Sequence, residues 1–284
     1  MKHQQSKLTA NRYGKHKVRV LKVLREGQDH QVCEIEADIL LEGDLEASYL
    51  SSDNSSIVPT DTVKNTVHFL AHDHLETGRT AFAAVLGRHF LEKYPHLSGL
   101  SVELREQVWN PMPVNGKAHP HAFLAERNGQ RFTTGRFTRD SPAKLTAGLR
   151  DHLLMKTTGS GFVGYHECDL TTLPPTTDRL FATKMACEWT LAEVRVPDAE
   201  TEKKVLEAAY EIFASTYSPS VQRTLFQIGE AALQAASEIE EISLRLPNVH
   251  YLNLDLSRLG RPDQRQVFLP TDEPHGQIEA TLTR

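Results

Sequence analysis

Apolar and acidic side chains alternate along Cys33-Glu34-Ile35-Glu36-Ala37-Asp38-Ile39-Leu40-Leu41. A period of two is typical of a β-strand that buries one face and leaves the other polar. Before it, Val18, Val20 and Val23 indicate a second strand, and the turn-forming residues 26–29 lie between the two. The sequence therefore predicts a β-hairpin at the start of the fold.

Two amphipathic helices are predicted to follow this hairpin, because apolar residues recur there at spacings of three and four. Their stripes are Val63, Val67, Leu70 and Ala71, and then Phe82, Val85, Leu86 and Phe90. Thr60 or Asp61 is placed to cap the first helix. Strands are predicted near 100–109 and 120–138, with a loop at 110–116.

The second half of the chain repeats this order of elements. Strands are predicted near 146–156 and 181–191, and Ser218 followed by Pro219 indicates the start of the second of two helices. The helix stripes are Val205, Ala209, Ile212 and Phe213, and then Val221, Leu225, Ile228 and Ala232. Further strands are predicted at 242–246, 252–256 and 278–282.

This recurrence predicts an α+β protein made of two similar ββααββ repeats, residues 1–140 and 141–284. Each repeat is expected to be an antiparallel sheet with two helices on one face. Such sheets have open edges, and assembly into a closed oligomeric barrel is one way to protect them. Residues 157–177 form a long insertion between strands, and its length favours a functional loop over a simple connection.

Composition excludes several classes of protein. The 284 residues are 39% apolar and carry a net charge of -5, which argues against a general nucleic-acid binder. The three cysteines are widely spaced and form no CxxC pair, which favours a reducing compartment. No apolar run approaches the length of a membrane span, and the N-terminus does not resemble a signal peptide. We expect a cytoplasmic protein.

Several separated motifs resemble those of the urate oxidase, or uricase, family over nearly the whole chain. They are Tyr13-Gly14-Lys15, Asp53 to Thr66, His119-Pro120-His121, Gly161-Phe162, Asp178-Arg179, Ser220-Val221-Gln222 and Leu246 to Tyr251. The resemblance implies tandem tunnelling-fold (T-fold) repeats, urate and dioxygen as substrates, and no cofactor. It also implies a homotetramer whose active sites are shared between subunits.

The resemblance implies a catalytic relay of Lys15, Thr60 and His250. By composition alone, Lys15 is a solvated basic residue, but a lysine crowded by cations and desolvated loses part of its preference for the charged form. Thr60 alone suggests a helix cap, yet its hydroxyl is also able to accept and pass on a proton. His250 alone suggests a structural histidine, although histidine changes charge near physiological pH.

The remaining implied residues suit a flat, anionic heterocycle rich in hydrogen-bonding groups. Phe162 offers a stacking face, Arg179 a planar fork and Gln222 an amide with a donor and an acceptor. Val221 offers a backbone N–H in the first turn of a helix. The others implied to bind substrate are Thr60, Asp61, Leu173 as an apolar wall, and Asn248, which is implied to hold dioxygen or water. Without the resemblance, most of these are ordinary core or surface residues.

Histidines outside this set raise the alternative of a metal site. His68 and His72 have the i, i+4 spacing that brings two imidazoles together, with His74 nearby, and His119 and His121 form another pair. Neither has the carboxylate pattern of a zinc helix such as HExxH, so we favour structural roles. The alternatives to a cofactor-free oxidase are a metal-dependent purine or pterin hydrolase of the same fold, and a non-catalytic purine-binding oligomer.

The chain ends Thr281-Leu282-Thr283-Arg284, whereas many eukaryotic members of the family end in a peroxisomal Ser-Lys-Leu type signal. This departure is consistent with the cytoplasmic expectation.

Overall fold

The computed structural model describes residues 6–25, 27–191, 198–262, 265–271 and 273–284. It divides into two compact units, Met1–Ala147 and Gly148–Arg284. Within the described residues, no helix is long and apolar enough to cross a membrane.

The first unit is an antiparallel sheet in the order β1-β2-β3-β6. Its strands are β1 (Tyr13–Leu24), β2 (Gln31–Gly43), β3 (Leu97–Gln107) and β6 (Gln130–Thr138). Its helices are α1 (Glu46–Ser51), α2 (Thr60–His74) and α3 (Arg79–Lys93), followed by the separate strand pair β4 (Trp109–Val114) and β5 (Lys117–Ala125). A short 3₁₀ helix, Leu75–Thr77, joins α2 to α3.

One face of this sheet and the stripes of α2 and α3 form a single hydrophobic core. Ile39 pairs with Val102 and Leu41 with Leu100 across β2 and β3, and all four side chains are buried. Because the alternation in β2 is strict, a slip of one residue would expose this whole apolar set.

The second unit is also antiparallel, in the order β7-β8-β9-β13. Its main strands are β7 (Lys144–Lys156), which begins before the unit boundary, β8 (Phe181–Leu191), β9 (Ile239–Arg245) and β13 (Glu279–Thr283). Its helices are α4 (Asp198–Ser215) and α5 (Val221–Ala235). The short strands are β10 (Asn248–Val249), which pairs with β8, and the hairpin of β11 (Tyr251–Asn253) and β12 (Phe268–Pro270).

The predicted α+β class, with antiparallel sheets and helices in a repeated ββααββ order, is confirmed. The predicted loop at 110–116 is wrong. Most of it belongs to β4, and the chain reverses at Asn115 and Gly116, both with positive φ, in a two-residue turn between Val114 and Lys117. Pro111 and Pro113 suggested a loop, but a two-stranded ribbon has free edges that tolerate proline.

Both predicted helix caps are also wrong. Pro59 holds the N-cap position of α2, and no described side chain caps that helix. Ser220 caps α5 instead of Ser218, and its hydroxyl accepts a hydrogen bond from the Arg223 N–H at 3.1 Å. The cap thus lies after Pro219, because the chain stays extended through Ser220 before the helix begins.

β1 and β2 leave no room for a side chain at Gly14. A Cβ there would lie 1.8 Å from the Ile39 carbonyl oxygen, which is backbone and has no freedom to move aside. We predict that Gly14→Ala lowers stability by about 1–3 kcal/mol, as overpacking typically does, measured as a lower midpoint of thermal unfolding. Gly276→Ala is the control, since its Cβ would meet nothing nearer than 3.9 Å. Equal midpoints for the two variants would contradict the prediction.

Candidate active site

Lys15 lies on β1 of the first unit, opposite Ile39 of β2, and is half-buried. Two residues earlier, the Tyr13 hydroxyl accepts a hydrogen bond from the Val58 N–H at 2.7 Å. Burial raises the pKa of Tyr13, so this hydroxyl is neutral at ordinary pH. The bond holds the segment that leads into α2 against the strand that carries Lys15.

Thr60 and Asp61 are the first two residues of α2, and both are exposed. Asp61 accepts hydrogen bonds from Lys64 Nζ at 2.5 Å and Asn65 Nδ2 at 2.9 Å. The bond and charge of Lys64 hold the pKa of Asp61 below its usual value, and the charge of Lys15 acts in the same direction.

Phe162 and Arg179 come together in the second unit, where the Arg179 guanidinium lies 5.6 Å from the centre of the Phe162 ring. Backbone hydrogen bonds fix both residues. Phe162 and Thr176 exchange two such bonds, of 2.7 and 3.1 Å, and the Arg179 N–H donates to the Ser160 carbonyl at 2.7 Å. Burial lowers the pKa of Arg179, but an arginine retains its charge in proteins. The result is a cation beside an aromatic face in a half-buried setting.

Asp178 anchors the segment that carries this pair. Its Oδ1 accepts hydrogen bonds from Thr158 Oγ1 and the Gly159 N–H, each at 2.9 Å. Its backbone carbonyl accepts from Thr176 Oγ1 at 2.9 Å and from the Arg265 guanidinium at 3.0 Å. The insertion predicted from its length to be functional is thus an ordered loop, tied together directly beside Arg179.

Tyr217 closes the same loop from the end of α4. Its hydroxyl donates to the Thr177 carbonyl at 2.8 Å. Gly161 permits this approach, because a Cβ at that position would lie 2.2 Å from the Tyr217 hydroxyl. A larger residue at 161 would therefore push Tyr217 away from the loop.

The N-terminus of α5 is tied to the Phe162 segment. Gly161 donates its N–H to the Ser218 carbonyl, and Ser218 donates its own to the Gly159 carbonyl, both at 2.8 Å. The first intrahelical bond of α5 runs from Thr224 to Ser220, so Val221 and Gln222 have N–H groups that precede the helical ladder. Val221 is buried and Gln222 exposed, which leaves the Gln222 amide accessible.

Asn248 and His250 lie at the end of the sheet beside β8. Asn248 pairs with Thr183 and donates its N–H to the Gly276 carbonyl at 2.8 Å. The His250 carbonyl accepts from both the N–H and the hydroxyl of Thr271, each at 3.0 Å. Both residues are half-buried.

Leu173 is exposed, and its carbonyl accepts a hydrogen bond from the Tyr165 hydroxyl. The Tyr165 ring stacks on Phe162, with centroids 5.0 Å apart. Sequence reasoning did not find Tyr165 or Tyr217, because each lies outside the motifs and only folding brings them to the loop that carries Phe162. The first unit carries three of the candidate residues: Lys15, Thr60 and Asp61. The second carries the others: Phe162, Leu173, Arg179, Val221, Gln222, Asn248 and His250.

Four of the histidines considered for a metal site contact other protein groups. His68 Nε2 lies 3.3 Å from the Arg19 carbonyl, and His72 Nδ1 lies 2.5 Å from Asp73 Oδ1. The His119 and His121 rings meet edge to face, with centroids 4.5 Å apart. Within the described ranges, no group of three or more His, Cys, Asp or Glu residues is arranged to hold a metal ion.

Solved structures define the class of fold. The crystal structure of uricase from Arthrobacter globiformis aligns with a TM-score of 0.91 and 33% identity, over 99% of this chain and 96% of that one. A uricase from Bacillus fastidious shares the fold at a TM-score of 0.84 with 21% identity. The fold is therefore the α+β fold of the solved uricases.

Sequence comparison identifies the family. The uricase family model matches residues 11–135 and 145–279. The uricases of Cyberlindnera jadinii and Oryctolagus cuniculus are 38% and 37% identical to this chain, covering 98% and 96% of it and 97% and 93% of their own lengths. This chain belongs to the uricase family, as its motifs predicted.

Asp178→Ala tests whether this carboxylate orders the loop. The change leaves the Thr158 hydroxyl and the Gly159 N–H without their acceptor. The loop should lose about 1–2 kcal/mol of stabilising free energy as a result. We predict roughly tenfold faster amide hydrogen exchange confined to residues 157–180, measured by mass spectrometry. Asp169→Ala, in the same loop but outside this network, is the control. Unchanged exchange in Asp178→Ala would show that other contacts order the loop.

Proposed function

We propose that this protein is a urate oxidase, which oxidises urate with dioxygen in purine catabolism. The observation that carries the proposal is the Arg179 guanidinium, which lies 5.6 Å from the centre of the Phe162 ring. Backbone hydrogen bonds tie the Phe162 segment to the residues that lead into α5, and the chain belongs to the uricase family. A flat anion suits this arrangement, since it gains both a stacking face and a charged planar donor.

Substrate binding is assigned mainly to the second unit. Phe162 stacks on the purine, and Arg179 donates to adjacent oxygen and nitrogen atoms on one edge. Gln222 presents its amide to the same plane, and the Val221 N–H donates to an anionic atom. Leu173 forms an apolar wall, and Asn248 holds dioxygen or water above the ring.

Proton transfer is assigned to Lys15, Thr60 and His250, with Asp61 as a substrate-positioning neighbour. Lys15 takes a proton from urate through the Thr60 hydroxyl, and His250 steadies the protonation state of the amine. The resulting dianion is electron-rich and transfers electrons to dioxygen. Recombination forms a C–O bond to the purine and gives a peroxide.

The peroxide leaves as hydrogen peroxide, and water adds to the same carbon. Urate, dioxygen and water thus give 5-hydroxyisourate and hydrogen peroxide, with urate as the two-electron donor and dioxygen as the acceptor. The protein supplies orientation, proton transfer and charge complementarity, so the scheme requires no cofactor.

Assembly is part of the proposal. Thr60 and Asp61 are exposed on the single chain, which suits residues that complete the site of a neighbouring subunit. β1 is an edge strand in the first unit, and β13 is an edge strand in the second. Pairing of such edges between subunits would close a barrel. We propose a cytoplasmic homotetramer around a tunnel, with each site shared by two subunits.

Oxygen uptake after exhaustive chelation tests the activity. We expect the chelated protein to consume oxygen when urate is added and to release hydrogen peroxide in equal amount, measured with an oxygen electrode and a peroxide assay. A metal-dependent hydrolase would convert its substrate without oxygen uptake and lose activity on chelation. A purine-binding oligomer would bind urate without turnover, and either result would overturn the proposal.

Lys15→Met tests the proposed base. The substitution removes the amine but keeps an unbranched side chain, so we expect kcat to fall by roughly 10²–10⁴-fold, as loss of a general acid–base group does. Anaerobic titration should show urate still bound. Turnover near the wild-type value in a folded oligomer would exclude this role.

Mixing two inactive variants tests the shared site. Thr60→Ala and Arg179→Ala each damage one half, so refolding them together places intact Thr60 beside intact Arg179 at some interfaces. We expect part of the oxygen uptake to return in mixed oligomers, while either variant refolded alone stays inactive. Absence of recovery in oligomers shown to be mixed by mass spectrometry would contradict the shared-site model.

A further inference from the structure

Lys15 lies on an unexpected side of its strand. Val18 is buried on the helix-covered face of the sheet, opposite Ala37. Lys15 is three residues away, and in a regular strand an odd separation puts two side chains on opposite faces. Yet Lys15 is paired with Ile39, which is fully buried on the same face as Ala37. Since directly paired residues share a face, Lys15 shares the face of Val18.

A β-bulge accounts for this change. The register shifts between Lys15 and Val18, so that His16 and Lys17 together face the single residue Asp38. Lys17 has a φ of 56°, in the left-handed region. One extra residue reverses the alternation beyond it, and the reversal turns Tyr13 and Lys15 together toward the helices.

The face that Lys15 gains is the one where α2 begins. Tyr13, on that face, receives its hydrogen bond from Val58, two residues before Thr60. Without the bulge, Lys15 would lie on the other side of the sheet from Thr60 and Asp61. The bulge therefore puts the proposed base on the same side of the sheet as the proposed relay.

Asp38 holds the bulge in place. Its Oδ1 accepts a hydrogen bond from the Lys17 N–H at 2.6 Å, and its Oδ2 accepts from the Arg105 guanidinium at 2.5 Å. His16 Nδ1 lies 3.3 Å from Oδ2. Burial opposes ionisation, but the bonds from Arg105 and the Lys17 N–H outweigh it and lower the pKa of Asp38. The carboxylate is thus charged and bonded to the one residue of the bulge with a left-handed backbone.

We infer that Asp38 is a positioning residue for Lys15, which it keeps on the helix side of the sheet by stabilising the bulge at Lys17. Asp38 itself faces the opposite side and is not assigned to substrate. The inference rests on the proposed function, because only a catalytic Lys15 makes its orientation matter to turnover.

The first comparison is between Asp38→Ala and Glu36→Ala. Glu36 is the matched control, since it lies two residues away on the same face and also pairs with Arg105, at 3.1 Å. We expect kcat to fall roughly 10–100-fold in Asp38→Ala, the scale of an ångström-sized misplacement, with anaerobic urate affinity retained. Glu36→Ala should stay within about twofold of wild type. Equal losses in the two variants would mean that charge around Arg105, and not the bulge, is responsible.

Rescue by glycine is the sharper test. Glycine adopts a positive φ without steric cost. Lys17→Gly in the Asp38→Ala background should therefore preserve the bulge even though the carboxylate that accepts the N–H of residue 17 is gone. We expect most of the lost kcat to return, whereas a purely electrostatic role for Asp38 would not be rescued. Failure of this rescue in a folded oligomer would overturn the inference.

A second substitution and hydrogen exchange separate loss of the bulge from loss of the charge at Asp38. If Asp38→Ala does not assemble, Asp38→Asn replaces it. The asparagine amide oxygen can still accept the hydrogen bond from the Lys17 N–H, whereas the negative charge of the carboxylate is removed. Near-normal kcat is then expected, and a tenfold loss would overturn the inference. Amide hydrogen exchange in residues 13–18 should become faster in Asp38→Ala and stay unchanged in Glu36→Ala. This measurement does not depend on activity. Wild-type oxygen uptake with urate tests the proposed function separately.

Discussion

Burial of one face of β2 beneath α2 and α3 is the constraint on which the first unit depends. Ile35, Ala37, Ile39 and Leu41 all lie on that face and are almost completely buried. Burial of an Ile or Leu side chain stabilises a fold by roughly 1.5–3 kcal/mol, so a shifted register that exposed these residues would be strongly disfavoured. The acidic residues between them are consequently fixed on the other face, where Asp38 meets β1.

The second unit orders its candidate residues in a different way. Its loop at 157–180 contains few regular strand residues, and the backbone itself supplies most of the order. Ser160 and Phe162 bond to Arg179 and Thr176, while Gly159 and Gly161 bond to Ser218. Main-chain bonds leave the side chains of Phe162 and Arg179 available. A binding surface can therefore be rigid although its functional side chains are not used in the hydrogen bonds that hold it together.

The sequence predicted the elements well where periodicity was strong. The alternation at 33–41 and 181–191 and the stripes on α2 to α5 all correspond to observed elements. It failed at β4, where Pro111 and Pro113 masked a strand, and at both helix starts, where local capping preferences did not identify the cap. Local rules cannot foresee such cases, because neighbouring strands and loops decide them.

Prediction of the candidate site depended on recognising a family. Composition alone made Lys15 a surface cation and Arg179 a surface arginine, and nothing in one sequence brings residues 162 and 179 together. The bulge at Lys17 was equally hidden, since the left-handed backbone there requires Asp38 from another strand. Tertiary hydrogen bonds, which carry no periodic signal, supply this information.

The ribbon of β4 and β5 also has a consequence for solubility. Two-stranded ribbons present open edges, and open edges invite pairing with other molecules. Pro111 and Pro113 on β4, and Pro120 on β5, have no N–H to offer an incoming strand. Pro111 and Pro113, which obscured β4 in the sequence, therefore make that strand a poor template for edge-to-edge aggregation.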